Sequence, residues 1–201
     1  MPAGRYTVQD GSGRPVGTES FRCAPGPAGW RYFAEIETST PEPHREVVDL
    51  VVDDRWRPVR LGIRTGSHEF AMAVEGDRAT TLLDGVAVDV PFGPEVELDY
   101  LSPCFNAVTA NRLGRSADIE VLYLRPVTCQ PVAMRQRYEL GGEEEVATPV
   151  GRFRAARWRY TALGSGFTRP LWVAGDIVVA YEGLFELSEY DPGRSGPFLL
   201  G

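Results

Sequence analysis

Turn-forming residues divide this chain at nearly regular intervals, and that spacing constrains the fold more than any other feature. Gly and Pro supply 22 and 16 of the 201 residues, in short groups such as 10–13, 76–77 and 164–166. The stretches between these groups are rich in Val, Ile, Tyr, Phe and Trp. Short β-rich runs separated by turn signals are typical of an antiparallel meander. We therefore expect one mainly β domain over 1–201, built as a curved antiparallel sheet or an incomplete barrel.

Apolar and charged residues alternate within several of these runs. In the first clear run Trp30, Tyr32, Ala34 and Ile36 share one phase, opposite Arg31, Glu35 and Glu37. The residues that share the apolar phase of later runs are Val59, Leu61 and Ile63, then His68, Phe70, Met72 and Val74, then Val132, Met134, Gln136, Tyr138 and Leu140, and finally Ile177, Val179 and Tyr181. A period of two with charge on one side indicates a sheet with one buried and one solvated face.

Residues 99–113 break the alternation and predict a short helix. Ser102 suits the N-cap, Pro103 the first helical position and Gly114 the C-terminal stop. A single helix amid strands is best placed as a plug on the concave face of the sheet.

Charge and spacing argue against several classes of partner and cofactor. The formal net charge is −7, and all 21 basic residues are Arg, so a basic surface for nucleic acid is not expected. No run reaches the roughly 18 apolar residues of a membrane span. The two histidines, His44 and His68, lie far apart, and neither a metal-ligand spacing nor a complete nucleotide-binding glycine motif is present. We expect no cofactor and no metal.

The cysteines and the first residues bear on localisation. Cys23, Cys104 and Cys129 form an odd set without a C-x-x-C pair. Residues 1–6 contain no apolar run of the kind that a secretory signal needs. We therefore expect reduced thiols and a cytoplasmic chain, and a homodimer stays open.

Two polar residues occupy the apolar phase of their runs. His68 and Gln136 must either be satisfied within a packed core or face a cavity. The first alternative makes them structural. The second makes them part of a small-molecule site, in which an apolar wall carries a few placed polar groups. In that case we expect His68, Asp99, Tyr100 and Gln136 to be catalytic, and Tyr32, Phe70, Met72, Met134, Tyr138 and Tyr181 to bind the ligand.

The stretch from Leu98 to Asp191 resembles the DUF3108 family, which is similar to lipoprotein carriers of the LolA/LolB type. The residues that carry the resemblance are 99–103 (Asp-Tyr-Leu-Ser-Pro), 148–153 (Thr-Pro-Val-Gly-Arg-Phe) and 171–174 (Leu-Trp-Val-Ala). The resemblance implies a strongly curved, unclosed antiparallel sheet around short helices and an apolar cavity, often in an exported protein associated with lipids.

Two classes of function fit this sequence. The first is a cofactor-free enzyme of a biosynthetic pathway, an isomerase, lyase or cyclase that acts on a hydrophobic small molecule by positioning and by acid–base chemistry. The second is a non-catalytic carrier of a lipid or glycolipid. Inward-facing His and Gln side chains favour the enzyme, because a carrier needs only an apolar cavity and an exit.

Overall fold

Strands dominate the chain, as the turn spacing predicts. The computed structural model describes residues 1–26, 29–40 and 42–194. In this part of the chain fifteen strands form one sheet, accompanied by one helix. They are β1 (Ala3–Gln9), β2 (Pro15–Gly26), β3 (Gly29–Thr38), β4 (His44–Val52), β5 (Pro58–Arg64), β6 (Glu69–Glu75), β7 (Arg78–Leu83), β8 (Val86–Ala87), β9 (Val96–Asp99), α1 (Pro103–Leu113), β10 (Ala117–Leu124), β11 (Pro131–Thr148), β12 (Gly151–Ala162), β13 (Phe167–Ala174), β14 (Ile177–Tyr181) and β15 (Phe185–Asp191). The expected mainly β fold class is confirmed.

The order of the strands makes an unclosed sheet. Strands that follow one another in sequence are neighbours from β8 back to β1 and from β15 back to β9, and β1 pairs with β15 to join the two halves. The pairs are antiparallel except β9 and β10, which run parallel. The strands therefore form a meander in which the first strand, β1, and the last strand, β15, pair in the middle of the sheet. Strands β8 and β9 form the two edges of the sheet.

Contacts between distant strands show that the sheet folds back over itself. The indole Nε1 of Trp30 in β3 donates to Asp176, in the turn between β13 and β14, over 2.9 Å. The carboxylate of Glu46 in β4 accepts from the main-chain N–H of Val127, in the turn between β10 and β11, over 3.0 Å. Thr65 donates to the carbonyl oxygen of the same Val127 over 2.8 Å. The two halves of the sheet thus enclose one core.

The helix lies inside this curve. α1 begins at Pro103, after Ser102 in the N-cap position, and Gly114 ends it with a left-handed φ of 57°. Because Asp99 still belongs to β9, the helix starts four residues after the predicted beginning of the insert. Every residue from Pro103 to Ala110 is buried. A helix buried on all sides for two turns is enclosed by other elements, and α1 packs chiefly against β14 and β9.

Most of the predicted alternation holds, and a β-bulge explains the exposure of Val59. In β3 the buried residues are Trp30, Tyr32, Ala34 and Ile36, as expected. Val59 is 40% exposed, because the register between β4 and β5 shifts beside it. An extra residue on one strand moves the neighbouring side chains to the other face. Leu140 is 38% exposed although it pairs with the buried Trp158, and the register of β11 with β12 shifts only after it.

Candidate functional site

A cavity of about 300 Å³ opens beside the N-terminal end of α1. It lies between the link from β9 to the helix on one side and strands β10 to β15 on the other. We call it the Asp99 cavity. Its aromatic lining residues are Tyr100, Tyr123, Tyr160, Phe167, Tyr181 and Phe185, and its polar ones are Asp99, Ser102, Asn106 and Ser165. A mostly apolar wall that carries a few polar groups is typical of small-molecule sites.

Asp99 is the acidic group of the cavity. It is only 9% exposed, and the amide Nε2 of Gln136 donates to its Oδ2 over 2.5 Å. Burial raises the pKa of Asp99, whereas the hydrogen bonds from Gln136 and from the main-chain N–H of Tyr100 lower it, and the balance places the pKa at about 7. Asp99 can therefore exchange a proton near neutral pH, which an ordinary surface aspartate does not do.

The helix supplies a second polar group. The side chain of Asn106 donates through Nδ2 to the hydroxyl of Tyr138 over 2.8 Å. Asn106 lines the cavity, whereas Tyr138 lies behind it in the core. This bond fixes the face that α1 presents to β11.

A buried glutamic acid ties the start of the helix to the opposite half of the sheet. Glu19 in β2 is fully buried, and its Oε1 accepts from the hydroxyls of Tyr32 (2.7 Å) and Ser102 (2.8 Å). The Ser102 hydroxyl thus bonds to Glu19 and makes no side-chain cap to α1. Burial raises the pKa of Glu19 to about 7, so a proton on the carboxyl is favoured up to neutral pH.

A larger groove adjoins the Asp99 cavity. It has a volume of about 480 Å³ and lies along β9, β10 and β11, where Val96, Val121 and Met134 form part of its wall. Met134 also lines the Asp99 cavity. The two spaces therefore share one side chain as a common wall.

Comparison with known proteins gives the fold. No model of a protein family matches the chain, and no curated protein matches it. Among solved structures it is similar to a DUF1089 family protein from Pseudomonas aeruginosa, with a TM-score of 0.60 and 21% identity over 84% of this chain and 91% of that one. It is also similar to a β-barrel-like protein of the domain of unknown function DUF1849 from Brucella abortus, with a TM-score of 0.51 and 8% identity over 94% of this chain and 95% of that one. The chain has a β-barrel-like fold.

Within this β-barrel-like fold, several of the predicted site residues come together. Asp99, Tyr100, Met134 and Tyr181 line the Asp99 cavity. Gln136 is buried behind Asp99 and reaches the cavity only through that carboxylate.

Four of the predicted ligand-binding residues lie in the packed core instead, each no more than 2% exposed: Tyr32, Phe70, Met72 and Tyr138. Tyr32 shows the reason. Its ring stacks between those of Phe21 (5.5 Å) and Trp30 (5.6 Å), so neighbouring strands fill the space on both sides. Side chains on the inner face of the sheet lie either in the packed core or in the cavity wall. The alternation along a strand predicts that a side chain points inward, but not which of these two places it occupies.

The inward position expected for His68 is wrong. His68 precedes β6, in the turn that follows β5, and its side chain is 37% exposed. Its Nδ1 lies 2.8 Å from Oδ2 of Asp84, and the main-chain N–H of His68 donates to the Thr65 hydroxyl. The phase of Phe70 and Met72 does not extend into this turn, because the backbone leaves the extended conformation before Glu69.

Neither Glu19 nor Asn106 is among the predicted site residues, although the alternation in β2 indicates that Glu19 points inward. Glu19 shares the phase of Phe21 and Cys23 in β2, and all three are buried. That alternation marks Glu19 as inward-facing by the argument used for Gln136. Asn106 offered no comparable signal, because α1 is buried on all sides and no polar face exists to set it apart.

Two further features concern clustered metal ligands and the thiol of Cys104. Residues 1–26, 29–40 and 42–194 contain no group of three His, Cys, Asp or Glu side chains that could hold a metal ion. The thiol of Cys104 lies at the start of α1, but burial raises its pKa well above the ordinary value, so the reactive thiolate is disfavoured. In this same part of the chain no helix has the length and apolar character that a bilayer crossing needs.

The hydrogen bond from Gln136 can be tested by titrating Asp99. In the unmodified chain, NMR of the Asp99 carboxyl carbon should give a midpoint at about 7. Gln136→Met keeps the side-chain length but removes the donor, so the pKa of Asp99 should rise by about one further unit. Gln130→Met, at an exposed position of the loop before β11, should leave the midpoint unchanged. A midpoint near 4 in the unmodified chain would show that Asp99 is well solvated.

Proposed function

We propose that the chain is a cofactor-independent enzyme of the isomerase, lyase or cyclase type. It binds a hydrophobic small molecule in the Asp99 cavity and exchanges a proton with it through Asp99. One observation carries this proposal: an aspartate held by Gln136 at 2.5 Å stands in the wall of an aromatic cavity. The residues have distinct roles, since Asp99 faces the ligand and Gln136 positions its carboxylate.

The pKa of Asp99 supports acid–base chemistry. A general acid or base works best when its pKa lies near the working pH, and burial raises that of Asp99 to about 7. The neighbouring phenols do not compete for this role. Burial raises the pKa of Tyr123 to about 12 and raises those of Tyr160 and Tyr181 as well.

The second candidate is a carrier of a lipid or glycolipid. The groove of about 480 Å³ that shares Met134 with the cavity supports it, because the two spaces together would suit a long apolar chain. The resemblance of residues 98–191 to the DUF3108 family and to LolA/LolB-type carriers points the same way. The buried acid–amide pair favours the enzyme, since the passage of an alkyl chain makes no use of a polar group.

Deuterium exchange tests the enzyme directly. The chain would be incubated in deuterium oxide with a small-molecule extract of its own organism and analysed by mass spectrometry. An enzyme that removes and returns a proton at carbon transfers solvent deuterium to its substrate or product. The unmodified chain should label one compound, and Asp99→Asn should do so at least about a hundredfold more slowly.

Asp118→Asn is the matched control. Asp118 lies on the neighbouring strand β10, where it pairs with Arg137 on the solvated face, so this variant should label the compound normally. If no compound is labelled, and native mass spectrometry finds an acyl chain retained by the purified protein, the carrier replaces the enzyme.

A further inference from the structure

The Asp99 cavity has an unusual charge balance. Among the described residues that line it, Asp99 is the only one with a formal charge near neutral pH. A ligand that carries a carboxylate or phosphate would meet this acid with no cation in the wall to offset it. Like charges repel strongly in a site that excludes water. The cavity therefore disfavours anionic ligands.

Arg169, which lies beside the cavity, makes its contacts with an aromatic ring and with main-chain carbonyls rather than with Asp99. The guanidinium of Arg169 lies over the ring of Phe167 at 4.9 Å and donates to the carbonyl oxygens of Thr168 (2.9 Å) and Gly11 (3.3 Å). What governs the pKa of Asp99 is burial and two hydrogen-bond donors, Gln136 and the main-chain N–H of Tyr100. The negative charge of Asp99 is thus left without a cationic partner.

Aromatic rings surround this acid in a connected series. Tyr160 contacts the rings of Phe167 (6.3 Å) and Tyr181 (6.2 Å) edge to face, and Tyr181 lies 6.3 Å from Phe185. The faces of aromatic rings carry partial negative charge and attract cations, most strongly where water is excluded. The rings and the carboxylate therefore both favour a cationic ligand.

The other groups that titrate around Asp99 stay neutral. They come from each element packed against it: Tyr123 on β10, Tyr138 on β11, Tyr160 on β12, Tyr181 on β14 and Cys104 on α1. Burial raises the pKa of every one of them, and the negative charge of Asp99 raises it further. At neutral pH Asp99 is therefore the only one of the described lining residues that carries a charge, while the positive charges of Arg125 and Arg169 act on Tyr123 and Tyr181 from outside the lining.

We infer that the natural ligand of the Asp99 cavity is an organic cation, an ammonium group on an apolar body, with the ammonium seated against Asp99 among the aromatic rings. This inference rests on the proposed small-molecule site and names the class of its substrate. An ammonium stabilises the ionised carboxylate, which is the form that a general base needs. Binding should therefore expel the proton that Asp99 carries in the empty site.

Three probes of nearly equal size separate charge from shape. Isothermal titration calorimetry at about pH 8 would compare 2-phenylethylammonium, 2-phenylethanol and phenylacetate. The ammonium should bind about tenfold more tightly than the alcohol, and phenylacetate should bind most weakly. At about pH 7, titrations in two buffers of different ionisation enthalpy should show proton release with the ammonium and none with the alcohol.

Variants assign the effect to Asp99. Asp99→Asn should lower the affinity for the ammonium about tenfold and leave that for the alcohol nearly unchanged. Asp118→Asn, the same chemical change on the solvated face, should alter neither. If Asp99→Asn does not fold, the comparison of the three probes on the unmodified chain still decides.

The outcomes also separate this inference from the proposed function. Binding of the alcohol or of phenylacetate as tightly as the ammonium overturns the organic cation and leaves an apolar ligand. Binding of the neutral dye N-phenyl-1-naphthylamine, with no binding of the ammonium, does the same. If neither the three probes nor the dye bind, the small-molecule site is wrong, and the cation inference fails with it.

Discussion

Raising the pH from about 5 to about 8 is expected to lower the melting temperature of this chain by about 10 °C or more. Three buried carboxyl groups cause the effect. Burial raises the pKa of Glu19, Glu97 and Asp99 to about 7 each. In Glu97 the positive charge of Arg112, whose Nη1 lies 3.2 Å away, offsets only part of that rise.

The sign follows from proton counting. In the unfolded chain these carboxyls ionise at about pH 4, whereas in the folded chain they keep their protons up to about pH 7. The folded state therefore binds more protons between these values, and stability is lost as the pH rises through the folded pKa. Each carboxyl should contribute on the order of 2 kcal/mol across this interval.

The exposed acids act in a different pH range. Hydrogen bonds lower the pKa of Asp10 to about 2, and hydrogen bonds from His68 and Arg137 lower those of Asp84 and Asp118. Their contribution is present above the unfolded pKa and is lost only as the pH falls through the folded one. They therefore leave the interval from about 5 to about 8 to the buried groups.

A substitution at Glu19 measures how much one of the three carboxyls contributes to the fall in melting temperature. Glu19→Gln keeps an oxygen that can accept from Tyr32 and Ser102 but no longer titrates, so the fall in melting temperature should shrink by about a third. Glu139→Gln, at an exposed position of β11, is the control and should preserve the full fall. A melting temperature that rises from pH 5 to 8 would show that these carboxyls are ionised in the folded state.

Local features of this fold could be predicted from the sequence because local chemistry determines them. The alternation in β3 follows from the pleat of a strand, and the limits of α1 follow from Pro103 and Gly114. The site could be predicted only in part. Asp99 and Gln136 are 37 residues apart in sequence, and their contact depends on the pairing of β9 and β11 with opposite edges of β10. Phase indicates that a side chain points inward, but not which inward side chains meet.

His68 and Glu19 show two ways in which a prediction of burial along a strand can be misled. The alternation of β6 does not extend to His68, which lies in a turn where the backbone direction no longer follows a period of two. The alternation of β2 does extend to Glu19, although its charge alone would predict a solvated position. The Oε1 of Glu19 accepts from two hydroxyl donors, one on β3 and one at the start of α1, and neither donor is visible in the run that contains Glu19.

The division of the inner face into core and cavity predicts opposite results for two phenylalanines. Phe70 in β6 is fully buried, whereas Phe167 in β13 is half-buried and lines the Asp99 cavity. Phe70→Ala should lower the free energy of unfolding by about 3–5 kcal/mol, because packed neighbours collapse only partly into the space it leaves. It should leave the affinity for N-phenyl-1-naphthylamine unchanged.

Phe167→Ala is the matched substitution. It removes the same side chain from a wall that already faces open space, so the free energy of unfolding should fall by less than about 2 kcal/mol. The dye should bind several times more weakly, because one face of its contact surface is lost. Denaturant unfolding and dye titration measure both quantities on the same preparations. If Phe70→Ala does not fold, Phe70→Leu, with an expected loss of about 1 kcal/mol, replaces it. Weaker dye binding in the Phe70 variant, with unchanged binding in the Phe167 variant, would place the cavity on the other half of the sheet.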